Sequence, residues 1–214
     1  PPNVGNGALD QNTLLAIQAF WQLQNATRLG VDQQLAFYQN IDTATHRDPD
    51  GTTTTSFYAQ IFLNPVVAAV APDPDLTALP TGGVISDPNL GDHLPAIQAA
   101  LGISAADAAT LFALTDGTLT LSNLSLLYRI STLAVASKFS ISGLLSVAGL
   151  LDPTAATPAA AVALLFASPA ATLAFLTQAK NVQQSGVPPD ALTYLLTAPS
   201  ASILGGWATT TQMT

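Results

Sequence analysis

The chain of 214 residues contains no cysteine and no glutamate, and only 8% of it is charged. Without a thiol there is no disulfide framework, no thiolate zinc site and no cysteine nucleophile. Without glutamate there is no Glu general base and no bidentate ligand of the kind that closes a calcium loop. Cations are the scarcest resource. Five Lys+Arg stand against 13 Asp, giving a net charge of −8. They fall at Arg28, Arg47, Arg129, Lys138 and Lys180, with no two adjacent. Nucleic-acid binding requires several phosphates to be neutralised together, and anionic lipid makes a similar demand, so neither partner is expected. No charged segment followed by an apolar run opens the chain, so no signal peptide is visible. The sequence starts Pro1-Pro2 and reads as a piece of something longer.

What remains is apolar and helical. Hydrophobic residues make up 49%, and Ala and Leu dominate them. From Asp10 onward Leu14, Ile17 and Trp21, with Leu15 and Ala19, recur at helical spacing and predict a core-facing side. Gly30 is expected to end that helix, and Asp32 to cap a second carrying Leu35, Phe37, Tyr38 and Ile41. A polar break from 42 to 55 precedes a short helix, capped by Ser56, over 57–63. Residues 64–89, with Pro65, Pro72, Pro74, Pro80 and Pro88, predict one long irregular insertion, packed over the helices or serving as a recognition surface.

Further helices are predicted from His93 to Leu101, after Ser104 in a capping-box pattern with Asp107, after Ser122, and from Ser140 to Leu151. The helix after Ser122 is apolar nearly all round through Leu124, Leu126, Leu127, Ile130, Leu133 and Val135, which marks it as central. Between Asp152 and Lys180 there is no charge over a length that would span a bilayer. Thr157-Pro158 and Ser168-Pro169 instead read as helix starts, giving two buried helices joined by a tight turn. A junction of Gly or Ser, β-branched residue and cap recurs as Gly30-Val31-Asp32, Gly102-Ile103-Ser104, Ser140-Ile141-Ser142 and Gly186-Val187-Pro188. It suggests stacked helical hairpins without a fixed period.

Catalytic and ligand-binding candidates are few. Asp92-His93 with Ser86 sketches a triad, but no nucleophile elbow accompanies it, and a capping or surface histidine is the expected role. His46, Asp48 and Asp50-Gly51 have ligand-like types without a third ligand or a closing Glu, so turn chemistry is expected. Asp73 and Asp75 read as a solvated acidic loop. Gly5-x-Gly7 lacks both a third glycine and a preceding strand. The glycosylation sequons at Asn25 and Asn123 fall inside predicted helices, the second in a buried one. No catalytic, cofactor-binding or metal-binding residue is assigned, and no cofactor is expected.

Two stretches carry a more specific pattern: 57–65 (FYAQIFLNP) and 119–129 (LTLSNLSLLYR). Around them, 93–114, 168–176 and Gly186-Val187 with 190–196 keep a consistent order. Together they resemble the helical region of the A component of insecticidal toxin complexes, the family that includes Salmonella virulence plasmid A-type proteins. The resemblance runs from about residue 9 to residue 198. It implies a segment of a much longer, secreted chain that assembles as a homopentamer. In that assembly an outer helical shell surrounds a channel, which is released on a pH change to inject an enzyme carried by partner subunits. This segment would lie in the shell, in contact with neighbouring domains and protomers and with a host receptor as a further partner, away from the membrane. The resemblance carries packing roles only: Phe57, Phe62 and Leu63 anchoring a short helix ended by Asn64-Pro65, Leu124, Leu127 and Tyr128 facing the core, and Asn123 near a helix start.

The expected architecture is all-α, an irregular stack of helical hairpins with one long Pro-rich loop and no regular sheet. Residues 1–8 form a loose lead-in, 9–198 one shell-type domain and 199–214 a flexible tail. The function expected is a non-enzymatic structural segment of a pore-forming translocation subunit. The alternative is a stand-alone helical protein-binding module that uses 64–89 as its contact loop.

Overall fold

The Ser, Thr, Asp and Asn residues that replace charge on this chain mark where its helices begin. In the computed structural model, which describes residues 10–47, 49–152, 155–188 and Ala191, side chains of these types cap most helix starts. Asp10 accepts from the Thr13 amide and opens α1 (Gln11–Thr27). Helix α2 (Val31–Tyr38) follows at once. A small antiparallel ribbon, β1 (His46–Arg47) with β2 (Thr53–Thr54), fills the polar break and pairs His46 with Thr54 and Arg47 with Thr53. Ser56 caps α3 (Phe57–Phe62).

The predicted long loop over 64–89 is not a loop for most of its length. Asn64 ends α3 by donating to the Gln60 and Ile61 carbonyls, both at 3.0 Å. The same side chain caps α4 (Pro65–Val70) by accepting from the Val66 and Val67 amides. Asp73 likewise caps α5 (Pro74–Ala78), and a 3₁₀ turn covers Leu79–Thr81. Pro65 and Pro74 are first-turn residues, where a missing N–H costs nothing and a fixed φ helps. A density of proline that suggested irregularity therefore marks the starts of several short helices.

Next come a 3₁₀ turn over Leu90–His93, α6 (Leu94–Leu101) and α7 (Ala105–Phe112), which Ser104 caps. Leu119 runs extended, its amide donating to the Pro88 carbonyl while Leu90 donates to Gly117. Helix α8 (Leu121–Ser137) starts two residues earlier than expected, because Thr120 rather than Ser122 is its cap. Helix α9 (Ile141–Leu151) is capped by Ser140, α10 (Pro158–Leu165) by Thr157 and α11 (Pro169–Ser185) by Ser168. The last two meet at a bend of 110°, and among the described residues no single helix is long and apolar enough to cross a membrane. The all-α expectation holds, the exception being the two-residue strands of the ribbon.

Helix α8 is central, as its all-round apolarity predicts. It packs against α2, α7, α9 and α11 and buries Leu124, Leu127, Ile130 and Leu133 completely. Val135 departs from that expectation and lies exposed. Tyr128 meets Phe57 edge to face at 5.4 Å, and Phe37 meets Phe166 in the same manner. Polar pins thread through this apolar core. Ser125 Oγ accepts from the Ile41 amide at 3.0 Å, and Arg129 Nε donates to the Ala36 carbonyl at 2.7 Å. The packing roles given to Phe57, Phe62, Leu124, Leu127 and Tyr128 match their burial, and Leu63 is half-buried against the core.

The recurring junction is real but sits in a different register at two of its four places. Helices α1, α6, α8 and α11 each end on a left-handed residue: Arg28, Gly102, Lys138 and Gly186. An apolar residue follows (Leu29, Ile103, Phe139, Val187), and in the first three cases the next residue caps the following helix. Phe139 donates back to Ala134 at 3.0 Å, the six-residue bond of a Schellman ending. Gly30 is thus a cap of α2 with φ −67, not the end of α1, and Asp32 lies in the first turn of α2. Arg28 (φ 63) and Lys138 (φ 57) bear the left-handed strain without glycine. That strain is about 1–2 kcal/mol per residue, offset in part by a cation at a helix C-terminus.

The second correction concerns α1. The side predicted to face the core is largely in solvent: Trp21 is 60% exposed, and Leu14, Leu15 and Ile17 are exposed too, with Val31 and Leu35 of α2. Only Ala19 and Leu23 of α1 are buried, on the side that meets α11. The loose segment 1–8, the Gly5-x-Gly7 pair, Asp48, Pro153, the 192–196 motif and the 199–214 tail lie outside the described residues.

Candidate functional site

A buried cluster of ionisable side chains is assembled by the short helices that replace the expected loop. His93 closes the 3₁₀ turn before α6 and takes the N-cap position of that helix, but its side chain makes no capping bond, and at 5% exposure it is not a surface residue. Its Nδ1 lies 2.7 Å from Asp73 Oδ2, and its Nε2 lies 2.9 Å from the Asp87 carbonyl. Asp73 also caps α5, its Oδ1 accepting from the Asp75 and Leu76 amides. Asp75 is itself buried and accepts the Ser86 and Asp87 amides at 2.8 and 2.9 Å. The expectation of a solvated acidic loop at Asp73 and Asp75 is therefore overturned: the two carboxylates and His93 tie 73–75, 86–87 and 93 into one knot.

A carboxylate and a peptide carbonyl both accept, so the arrangement favours the imidazolium form of His93, in which both ring nitrogens donate. Burial works against that charge. The Asp87 carbonyl, then the Asp73 carboxylate and the charge on Asp75, outweigh it and raise the His93 pKa above its usual 6.5. The Ser86 and Asp87 amides, against a smaller burial effect and with help from His93, hold Asp75 below the usual carboxylate range. Tyr58, whose hydroxyl donates to the Leu76 carbonyl at 2.8 Å, is pushed well up by burial and by the charge on Asp73.

The triad sketched from the sequence is not built. Asp92 accepts from Asn89 Nδ2 at 2.7 Å, and the ring of His93 turns to Asp73 instead. Neither ring nitrogen is directed to Ser86, whose amide is held by Asp75. An imidazolium with both protons engaged has no lone pair with which to act as a general base.

At the other candidate, His46 Nε2 lies 2.5 Å from Asp42 Oδ2 on the exposed ribbon, and Asp50 accepts the Thr52 amide. The Asp50 bond is turn chemistry. Among the described residues no group of three or more His and Asp side chains is placed to hold a metal ion. Asn25 and Asn123 both lie within helices. Asn123 is half-buried rather than buried, and it donates to Asp116 Oδ1 and the Thr118 carbonyl. Asp116, held by Thr118 and then Asn123, drops to about 2.

No known family, curated protein or solved structure matches the chain. Its chemistry must be read from its own residues. The His93 knot fastens the 64–93 region to itself through Asp73, Asp75 and the Asp87 backbone.

Proposed function

We propose that this chain is a non-enzymatic packing segment of a larger assembly, a part of the outer helical shell of a pore-forming toxin translocation subunit. The observation that carries the reading is the exposed apolar face of α1 and α2. Leu14, Leu15, Ile17 and Trp21, with Val31 and Leu35, present on the surface the side chains that a free-standing domain keeps inside. Exposed large apolar side chains in this number support an interaction site on these two helices. The toxin assignment within that reading is supported by the ordered motifs that resemble the A component, and by the burial of Phe57, Phe62, Leu124, Leu127 and Tyr128 where that resemblance asks for packing. Secretion, a homopentameric ring and a receptor on a host surface belong to the same proposal.

The test is electron microscopy of the complete polypeptide that carries this segment. The proposal expects five-fold particles with this segment in the outer wall and α1 covered by neighbouring chain. A monomeric polypeptide with α1 in solvent would overturn it.

A second reading, a stand-alone protein-binding module acting through 64–89, is favoured by one observation, the exposure of Val66, Val70 and Val84. Its contact surface would be the helices α4 and α5 rather than a loop. A pull-down in which Val66→Ser and Val70→Ser leave partner capture unchanged would dispose of it.

A further inference from the structure

Both lysines of this acidic chain line one groove. The groove, of about 610 Å³, runs between the ends of α1 and α8 and the flank of α11. Ala26, Ala136, Leu173 and Leu176 give it an apolar lining, and Lys138 and Lys180 stand on it. Among the described residues the remaining lining groups are neutral, and none is a carboxylate. In a chain with 13 Asp and five Lys+Arg that is a local inversion of sign. Neither lysine forms an ion pair among the described residues, and both are exposed. One wall is fixed: Gln183 Nε2 donates to the Ser137 carbonyl at 2.6 Å, locking α11 against the end of α8. Lys138 is held in place by the backbone, since it is the left-handed residue that ends α8.

We infer that this groove between α1, α8 and α11 is a docking site for an acidic amphipathic helix of a partner, seating an aliphatic stripe between Leu173, Leu176 and Ala136 with carboxylates at Lys138 and Lys180. Charge complementarity selects the occupant. A basic helix meets two unpaired ammonium groups, and a purely apolar one leaves both lysines without a counter-charge. The apolar lining supplies area, and the lysines supply orientation and encounter rate. This surface is distinct from the α1–α2 face, and it does not depend on the toxin reading.

The experiment uses the full chain and two synthetic amphipathic helices with the same leucine stripe, one flanked by Asp and Glu and one by Lys. Binding is followed by titration calorimetry at about 50 mM and about 300 mM salt, since the screening length shortens over that range. The acidic helix is expected to bind, to weaken at least about threefold at the higher salt, and to weaken about tenfold in the double variant Lys138→Gln, Lys180→Gln. Both side chains are exposed, so the variant should keep the parent circular dichroism spectrum, with the melting temperature lowered only slightly by loss of the Lys138 cation at the end of α8. No binding of the acidic helix at low salt, equal binding of both helices, or binding indifferent to the double variant would each overturn the inference. So would self-association of the chain that the double variant abolishes, because the occupant would then be a second copy.

Discussion

Replacing His93 with alanine tests the central knot of the 64–93 region. The His93 and Asp73 side chains are 6% and 13% exposed. Breaking a buried ion pair by removing one partner costs about 3–5 kcal/mol, because the survivor keeps a poorly solvated charge. Asp73 is not left wholly without donors, since its Oδ1 still accepts the Asp75 and Leu76 amides. The lower end, about 3 kcal/mol, is therefore expected under mildly acidic conditions.

The pH dependence follows from the sign of the shift. The folded-state pKa of His93 lies above its unfolded value of 6.5. The stability it contributes is thus fully present below that unfolded value and is lost as pH rises through the folded one. Urea unfolding of both proteins at about pH 5.5 and about pH 8.5 gives the readout. The wild type should lose stability between the two, and the penalty for His93→Ala should be smaller at the higher pH. If His93→Ala retains the wild-type difference between the two pH values, His93 is not the charged member of a buried pair, and the reasoning fails.

Other expectations follow from the same structure. Leu127, fully buried on α8, should cost about 2–5 kcal/mol as Leu127→Ala through lost burial and a residual cavity, and chemical denaturation that moves by less than about 1 kcal/mol would contradict a core centred on α8. Asp116, lowered to about 2 by Thr118 and Asn123, contributes stability above its unfolded value of 3.8 that is lost as pH falls through about 2. An Asp116→Asn variant should accordingly show a flatter acid limb in a melting-temperature titration, and an unchanged limb would refute the assignment. Because the chain has no cysteine, Trp21→Cys installs a single thiol. It should react with a maleimide at close to the rate of a free peptide thiol, with little change in stability, whereas strong protection would mean that the face is already covered.

Much of this fold is legible because its helix boundaries are encoded locally. Ser56, Ser104, Thr157 and Ser168 are each readable as caps, and each accepts the backbone amide that a cap should. Pro158 and Pro169 were readable as first residues on the same grounds. Pro65 and Pro74 obey that rule too, but their helices are five or six residues long, too short for hydrophobic periodicity to reveal. The junctions at Arg28 and Lys138 were misplaced because a left-handed residue is inferred from glycine, and neither residue is glycine. The His93 knot escaped for a different reason. Asp73 lies 20 residues away in sequence, whereas the adjacent Asp92 offered a partner that the fold assigns to Asn89. On α1, periodicity correctly marked Leu14, Ile17 and Trp21 as one apolar side. A repeat of apolar residues does not distinguish a surface buried within the domain from one left in solvent, and here most of it lies in solvent.

The most direct test of the packing-segment account is the natural reading frame around these residues. The account predicts that the frame continues far past residue 214 on the C-terminal side, through further helical sequence and a channel-forming region, so that the exposed face of α1 and α2 has chain to cover it. A frame that ends close to Thr214 would contradict the shell assignment and leave a free-standing binding module in its place.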